Sequence, residues 1–561
     1  VTVSCLGHLS GDYTGLVTNG RIRPKLGSLH TDIKLSVNME ESTVAYAGSL
    51  ATRQFELGKL ANNAKWGKIT FNVGLQGRHY PQRYPFIVAK GLIASIDYSG
   101  YTYENITLDG EYKHGGFTGK ASLDDENASL SLNGTINAVS KIPTFNFLAK
   151  AKHIRPHALN LSPKYEGAEF SVKLKADFTG GSIDEMNGEI NVDSLLFSSP
   201  EQSYFLENFK LIASRPDDTR KRLDIRSSFL RGSIEGDYSY RTLPASILNI
   251  LRRYVPALLP AKTEKPVETE NNFGFDLHIY DAELLSKVFD IPLTIYTHST
   301  IKGYFNDKAR RMRVEGYFPH LRYNNKFIES GLVLCENPSD HFHARVRLTQ
   351  RQAKGSVNLA VEALAKNDSI QTILNWGNSS AVTYSGQLSA TTHFIRQQLE
   401  TPKKSFRRRN KRNRPQEQTP LKVMVDIHPT DIILNDTLWN IHPAQVVVDS
   451  GRVYVHDFHF TNQKRFLRIN GTISERPQDT VRLDLQQINI GYVFDIADLG
   501  VNFQGEATGP AYASGVLHEP VMTTDLFIRN LGINNGLLGD ANIHGECTHS
   551  IKGIFLDART R

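Results

Sequence analysis

One feature constrains this chain above all others: apolar residues alternate with polar ones on one side only, and turn residues break the pattern at regular intervals. Phe117, Gly119, Ala121 and Leu123 fall on one face of a run that Asp124-Asp125-Glu126-Asn127 then turns back. Ala128, Leu130, Leu132, Gly134 and Ile136 return on the same face, and their alternates Ser129, Ser131, Asn133 and Thr135 are all polar. The pattern recurs with Val172, Leu174, Ala176 and Phe178, with Phe273, Phe275, Leu277 and Ile279, and with Leu421, Val423, Val425 and Ile427. It recurs again with Val501, Phe503, Gly505 and Ala507, opposite Asn502, Gln504, Glu506 and Thr508. A side-chain period of two is that of a strand with one wet face. An all-β fold is therefore expected. Its apolar face has to be hidden by closing, packing or curling the sheet, and the pattern alone does not choose among these. Gly509-Pro510 reads as the end of a strand, with further strands near Ser514–Leu517 and Thr523–Arg529.

Two short helices interrupt the pattern. In Leu243–Leu259, Ile247, Ile250, Leu251, Tyr254 and Leu258 recur at helical spacing, Pro244 suits the first turn, and Pro256 ends the run. The spacing predicts a helix over Ala245–Val255, with Ile247, Ile250, Leu251 and Tyr254 as its apolar stripe. At ~16 Å it is too short to cross a bilayer. It is either laid over an apolar sheet face or acts as an interfacial, gating element. A second helix is expected over Asp281–Phe289, capped by Asp281. The polar stretch Lys262–Asn272 and the basic run Lys403–Arg414 lack any strand pattern and are expected to be mobile. The segments expected are 1–242, 243–292 with the helices, 293–402, the basic loop 403–420, and 421–561.

The chemistry is sparse. A net charge of +7 over 561 residues, with scattered basic residues, fits anionic surfaces and does not argue for nucleic acid. The basic run reads first as a solvated loop and next as a site for anionic headgroups. Cys5, Cys335 and Cys547 form no CxxC, so a zinc or disulfide scaffold is not expected. His341 and His343, and His456 and His459, are spaced as metal pairs but lack a third ligand nearby. No nucleophile elbow, zincin helix, phosphate loop or dinucleotide fingerprint occurs. The expectation is a protein that is not an enzyme and that uses no metal or cofactor. The alternatives are a structural or adhesive β-fibre and, in the enzyme class, a β-solenoid acting on glycans, with an aromatic-lined cleft and clustered acids.

The stretch Val501–Asn542, VNFQGEATGPAYASGVLHEPVMTTDLFIRNLGINNGLLGDAN, carries more specific information. Its order of Gly-x-Ala-Thr-Gly-x-Ala, Ser-Gly-x-Leu, an apolar strand, then Asn-Leu-x-Ile-Asn resembles the TamB-like translocation and assembly module family of the AsmA-like superfamily, in its Bacteroidetes form. Ile93–Asp125, Leu284–Tyr304 and the run through Phe55-Glu-Leu-Gly-Lys-Leu are similar to it as well. The resemblance implies an elongated, curled β-sheet, a taco-like β-groove with an apolar interior. It also implies a role: a periplasm-spanning conduit that carries phospholipid between the inner and outer membranes of a Gram-negative bacterium and supports outer-membrane protein assembly. Partners implied are phospholipid acyl chains, an Omp85-type outer-membrane β-barrel, and the inner membrane through an N-terminal anchor. The sequence runs from Val1 to Arg561 in mid-pattern, and the expectation is an internal piece without that anchor or the family's C-terminal region. Lys403–Arg414 departs from the family pattern. Under this reading Leu130, Leu132, Leu174, Phe178, Phe275, Leu277, Val423, Val425, Val501 and Phe503 line the lipid lane.

Overall fold

A computed structural model describes residues 4–81, 84–217, 220–259, 269–324, 326–352, 355–396, 420–491, 503–518, 521–533, 536–548 and 553–560, without the side chains of 4–5, 503 and 546–560. Most of these residues lie in antiparallel strands, joined by tight turns, with three short helices among them. The helices are α1 (Leu57–Ala61), α2 (Leu243–Arg252) and α3 (Glu283–Phe289). No described helix is long and apolar enough to cross a membrane. The chain divides into two compact units: residues 1–241 with 273–300, and 242–272 with 301–561. Of the stretch Lys262–Asn272 expected to be mobile, 262–268 lies outside the described residues, while Asn271 is buried and hydrogen-bonded and Asn272 begins a strand. Lys403–Arg414 and the predicted lane residue Val501 also lie outside the described residues.

In the first unit each strand from Ser4–Gly11 to Leu230–Asp237 pairs with the next in chain order. The turns explain why hairpins form so regularly. Ser99-Gly100 and His114-Gly115 place both central residues at positive φ, as Asn367-Asp368 and Asn435-Asp436 do in the second unit. Such turns match the right-handed twist of the strands they join. Directly opposed residues in an antiparallel pair share a face, so register decides what lines up across the sheet. Leu108, Ala121, Leu132, Ala149, Leu174 and Val192 oppose one another on six successive strands. Four residues along, Tyr112, Phe117, Ile136, Phe145 and Phe178 do the same. Between these rows runs a line of Gly110, Gly119 and Gly134, with Phe147 beside it.

The second unit follows the same plan over Arg311–Phe318, Lys326–Glu336, Phe342–Gln352, Gly355–Lys366, Ser369–Asn378 and Tyr384–Arg396. One row there reads Gly316, Val333, Val346, Val361, Leu374, Leu388. Two strands then split. Leu421–Ile427 and Thr430–Leu434 both pair with Tyr384–Arg396. Thr437–Ile441 and Ala444–Asp449 both pair with Arg452–Asn462. The interruptions are His428-Pro429 and His442-Pro443; proline cannot donate to the ladder. The histidine amides hold each gap together, donating to Ser389 O and His459 O, both at 2.9 Å.

Several expectations need correction. The strand expected to stop at Gly509-Pro510 runs through it, from Phe503 to Ser514. Gly509 takes φ +137°, and the ladder to Val521–Ile533 skips Gly509 and Pro510 while keeping its register, Thr508 opposing Phe527 and Ala511 opposing Thr524. The missing proline N–H falls in that gap. Ser514–Leu517 is accordingly a strand end followed by a turn. The helix α1 was not expected; its sequence reads as part of a strand repeat. The helix expected over Ala245–Val255 is Leu243–Arg252, so Tyr254 lies beyond its end; Val255 precedes Pro256, which disfavours the helical region there. The next helix starts at Glu283 with Ala282 at its cap, and Asp281 acts from one residue further out, accepting the Glu283 N–H at 2.9 Å.

The glycine line makes a direct test. Gly134 has φ +151°, and a Cβ there would stand 2.2 Å from Asn146 O and 2.4 Å from Phe147 Cα. Gly134→Val is expected to destabilise the protein by about 2–4 kcal/mol, through backbone strain and overpacking. A urea unfolding midpoint unchanged from the wild type would contradict this register.

Candidate functional site

The apolar rows are the candidate site. On the strands Thr144–Ile154 and Glu169–Thr179 the buried residues of the apolar face are small, Ala149, Ala151 and Ala176, whereas on other strands of the first unit Val73, Phe197, Leu206 and Leu223 are buried. The large neighbours are not sealed. Leu132, Leu174 and Phe178 are half-buried and Leu130 remains 36% exposed. Phe145 and Phe178 stack across their strands at 4.8 Å. Phe275 and Leu277 are half-buried on Asn272–Ile279, as are Val423 and Val425 on Leu421–Ile427. Phe503 opens the strand Phe503–Ser514, opposite Ile533. The opposite face of the first unit is a charge and hydroxyl ladder. Lys90 pairs with Asp109 at 2.8 Å, Asp109 opposes Lys120, and the Thr118 and Thr135 hydroxyls share a hydrogen bond of 3.0 Å.

The apolar face is not uniform. In the second unit Ile432, Trp439 and Ile441 belong to one buried cluster with Leu485, Ile488, Ala507, Ile528 and Ala541. There the face is filled by its own side chains. In the first unit α3 covers one margin. Leu284 and Val288 pack against Ala168, Phe197 and Tyr204. Tyr165 Oη and Lys164 Nζ donate to the helix-end carbonyls of Val288 and Phe289 at 3.0 and 2.8 Å.

What sequence reasoning missed in the segment from α2 to Leu259 is how it is pinned. Ile250 and Tyr254 are buried and Ile247 and Leu251 half-buried, so the expected stripe does face inward. The Tyr254 ring lies 6.1 Å from Phe342, at the end of the second unit's apolar face. Polar groups pin the segment to successive hairpin ends. Ser246 Oγ donates to Asp307 Oδ2 at 2.8 Å, and Asn271 Nδ2 donates to Ser246 Oγ at 2.7 Å. Asn337 Nδ2 donates to Tyr254 Oη at 3.0 Å. Asp368 Oδ1 accepts the Ala257 N–H at 2.6 Å, and Arg396 Nε donates to Ala257 O at 2.9 Å. The only signal in the sequence is an Asp or Asn at each of these hairpin ends.

Asn337 is 2% exposed. It also accepts the Met312 N–H at 2.7 Å and donates to Arg310 O at 2.6 Å. Asn337→Ala leaves buried polar groups unpaired, at about 1–3 kcal/mol each. Limited proteolysis is expected to begin within 243–259 in this variant and not in the wild type. An unchanged cleavage pattern would show that the segment from α2 to Leu259 does not depend on Asn337.

The histidines are engaged within the protein. His343 lies 2.7 Å from Glu362 and 3.8 Å from Glu336, and His341 lies 3.2 Å from Asp340. Among the described residues no group of three or more His, Cys, Asp or Glu is placed to hold a metal. His459 stacks on His442 at 4.8 Å, meets Phe466 edge-on, opposes Arg468, and lies near Asp457. Burial, and then the nearby His442 and Arg468, push its pKa below the ordinary 6.5. The unfolded chain therefore takes up this proton first as pH falls. Stability is retained above about 6.5 and lost as pH falls from there toward the lower folded value. His459→Gln is expected to flatten that part of the stability–pH curve. A curve parallel to the wild type between pH 7 and 5, the span in which an ordinary histidine titrates, would contradict it.

No family model matches this chain, and no curated protein matches it.

Proposed function

We propose that the apolar face is a lane for lipid acyl chains, and that the protein is a non-enzymatic conduit carrying phospholipid between two membranes. The observation that carries this reading is the unsealed set of large apolar side chains on one face of three neighbouring strands, Leu130 and Leu132, then Phe145, then Leu174 and Phe178. A two-tailed lipid carries ~30 methylenes, and exposing them to water costs on the order of 20 kcal/mol. A continuous apolar surface removes most of that barrier, and headgroups remain in solvent along it. No cofactor is needed. The resemblance to TamB-like proteins adds the setting: the periplasm of a Gram-negative bacterium, an inner-membrane anchor, and an Omp85-type barrel at the outer membrane, with a supporting role in outer-membrane protein assembly. Each unit carries its own stretch of the lane, and in the second unit the cluster around Trp439, against which Ile427 packs, is filled and excluded from it.

The test uses adjacent positions on opposite faces. A photo-crosslinking residue at Leu108, in the same row as Leu132, is expected to capture phospholipid, and one at Asp109 is not. Leu132→Asp is expected to leave a folded protein that no longer supports outer-membrane integrity, because a carboxylate on an open face stays hydrated. In a sealed core the same change would cost several kcal/mol and unfold the region. Unfolding by Leu132→Asp, or equal capture at both positions, would defeat the lane.

A further inference from the structure

The polar face of the first unit carries a run of like charges that the fold does not explain. Lys210 directly opposes Arg226, and Arg226 directly opposes Arg231. Like charges directly opposite each other across a sheet are destabilising. Only Lys210 has a carboxylate partner, Glu189 at 2.7 Å. Arg226 makes no ion pair among the described residues. Arg231 donates to Ser227 O at 3.3 Å and lies over the Tyr280 ring, neither of which neutralises it. One strand beyond Asn191, which opposes Lys210, stands Lys175, also without an ion pair among the described residues.

These four cations line one open depression of about 1180 Å³. Two of its three carboxylates are already occupied, Asp193 by Lys173 at 2.7 Å and Asp224 by Arg222 at 2.9 Å. That leaves Lys175, Arg226 and Arg231 against Glu207 alone. The same depression is lined by two apolar side chains out of place on this face, Phe205 at 60% and Leu148 at 47% exposed. An uncompensated cationic run beside exposed apolar groups matches a ligand that is anionic at one end and apolar at the other.

We infer that this depression binds a phosphate-bearing amphiphile, its phosphate on Arg226, Arg231 and Lys210 and its first methylenes on Phe205 and Leu148. Paired guanidinium forks suit phosphate oxygens. The site lies on the face opposite the apolar rows, so it stands or falls separately from the lane.

The test is flotation of the full chain with phosphatidylcholine vesicles, with and without phosphatidylglycerol, beside titration with soluble glycerol phosphate. The wild type is expected to float only with phosphatidylglycerol present. At about fivefold per basic residue, Arg226→Gln with Arg231→Gln is expected to weaken binding about thirtyfold. Its unfolding temperature should not fall, since repulsion is relieved. Lys175→Gln, at the margin of the run, should lose about fivefold and serves if the double variant does not fold. Phe205→Ser should weaken vesicle binding and leave glycerol phosphate binding intact. Equal flotation with pure phosphatidylcholine, or wild-type binding by the charge variants, would overturn the site. Undiminished vesicle binding by Phe205→Ser would overturn the apolar contact, and glycerol phosphate binding without any flotation would overturn the amphiphile and leave a soluble phosphate as the ligand.

Discussion

The structure depends on register. In an antiparallel sheet a residue faces the same side as the residue opposite it, and a slip of one reverses every side chain on a strand. The rows through Leu132 and Phe178 exist because successive hairpins hold the same register. The tight turns set that register, and the glycine line through Gly119 and Gly134 lets the backbones approach where a Cβ would collide with them. The apolar face is thus a property of the whole ladder, although each strand contributes only a few side chains to it.

What happens to that face varies along the chain. Around Trp439 it is filled by its own side chains. Along the first unit it is covered at a margin by α3, buried at positions such as Val73 and Leu223, and half-open around Leu132 and Leu174. In the second unit α2 and the segment after it are held to hairpin ends by Asp307, Asn337 and Asp368. These attachments are hydrogen bonds between residues far apart in sequence, and they limit where the apolar surface can be reached.

The strands were legible because their signal is local. Leu421–Ile427 is found with the bounds the alternation predicts, and the turn between Asp125 and Ala128 falls where the acidic cluster places it. The apolar stripe of α2 was legible for the same reason. What was not legible rests on partners elsewhere. Pro510 stays within a strand because the neighbouring ladder skips it, which no property of Gly-Pro reveals. The splits at His428-Pro429 and His442-Pro443 depend on which strands lie alongside. The cationic run was hidden because Lys175, Lys210, Arg226 and Arg231 are scattered in sequence and meet only through cross-strand pairing.

A lane for acyl chains and a self-filled β-fibre differ most plainly in what they carry. The direct measurement is lipid mass spectrometry on the chain purified from a Gram-negative host without detergent. The account predicts co-purifying phospholipid, and its loss with Leu132→Asp in a protein that keeps its strand spectrum. A folded wild-type chain that brings no phospholipid would contradict it.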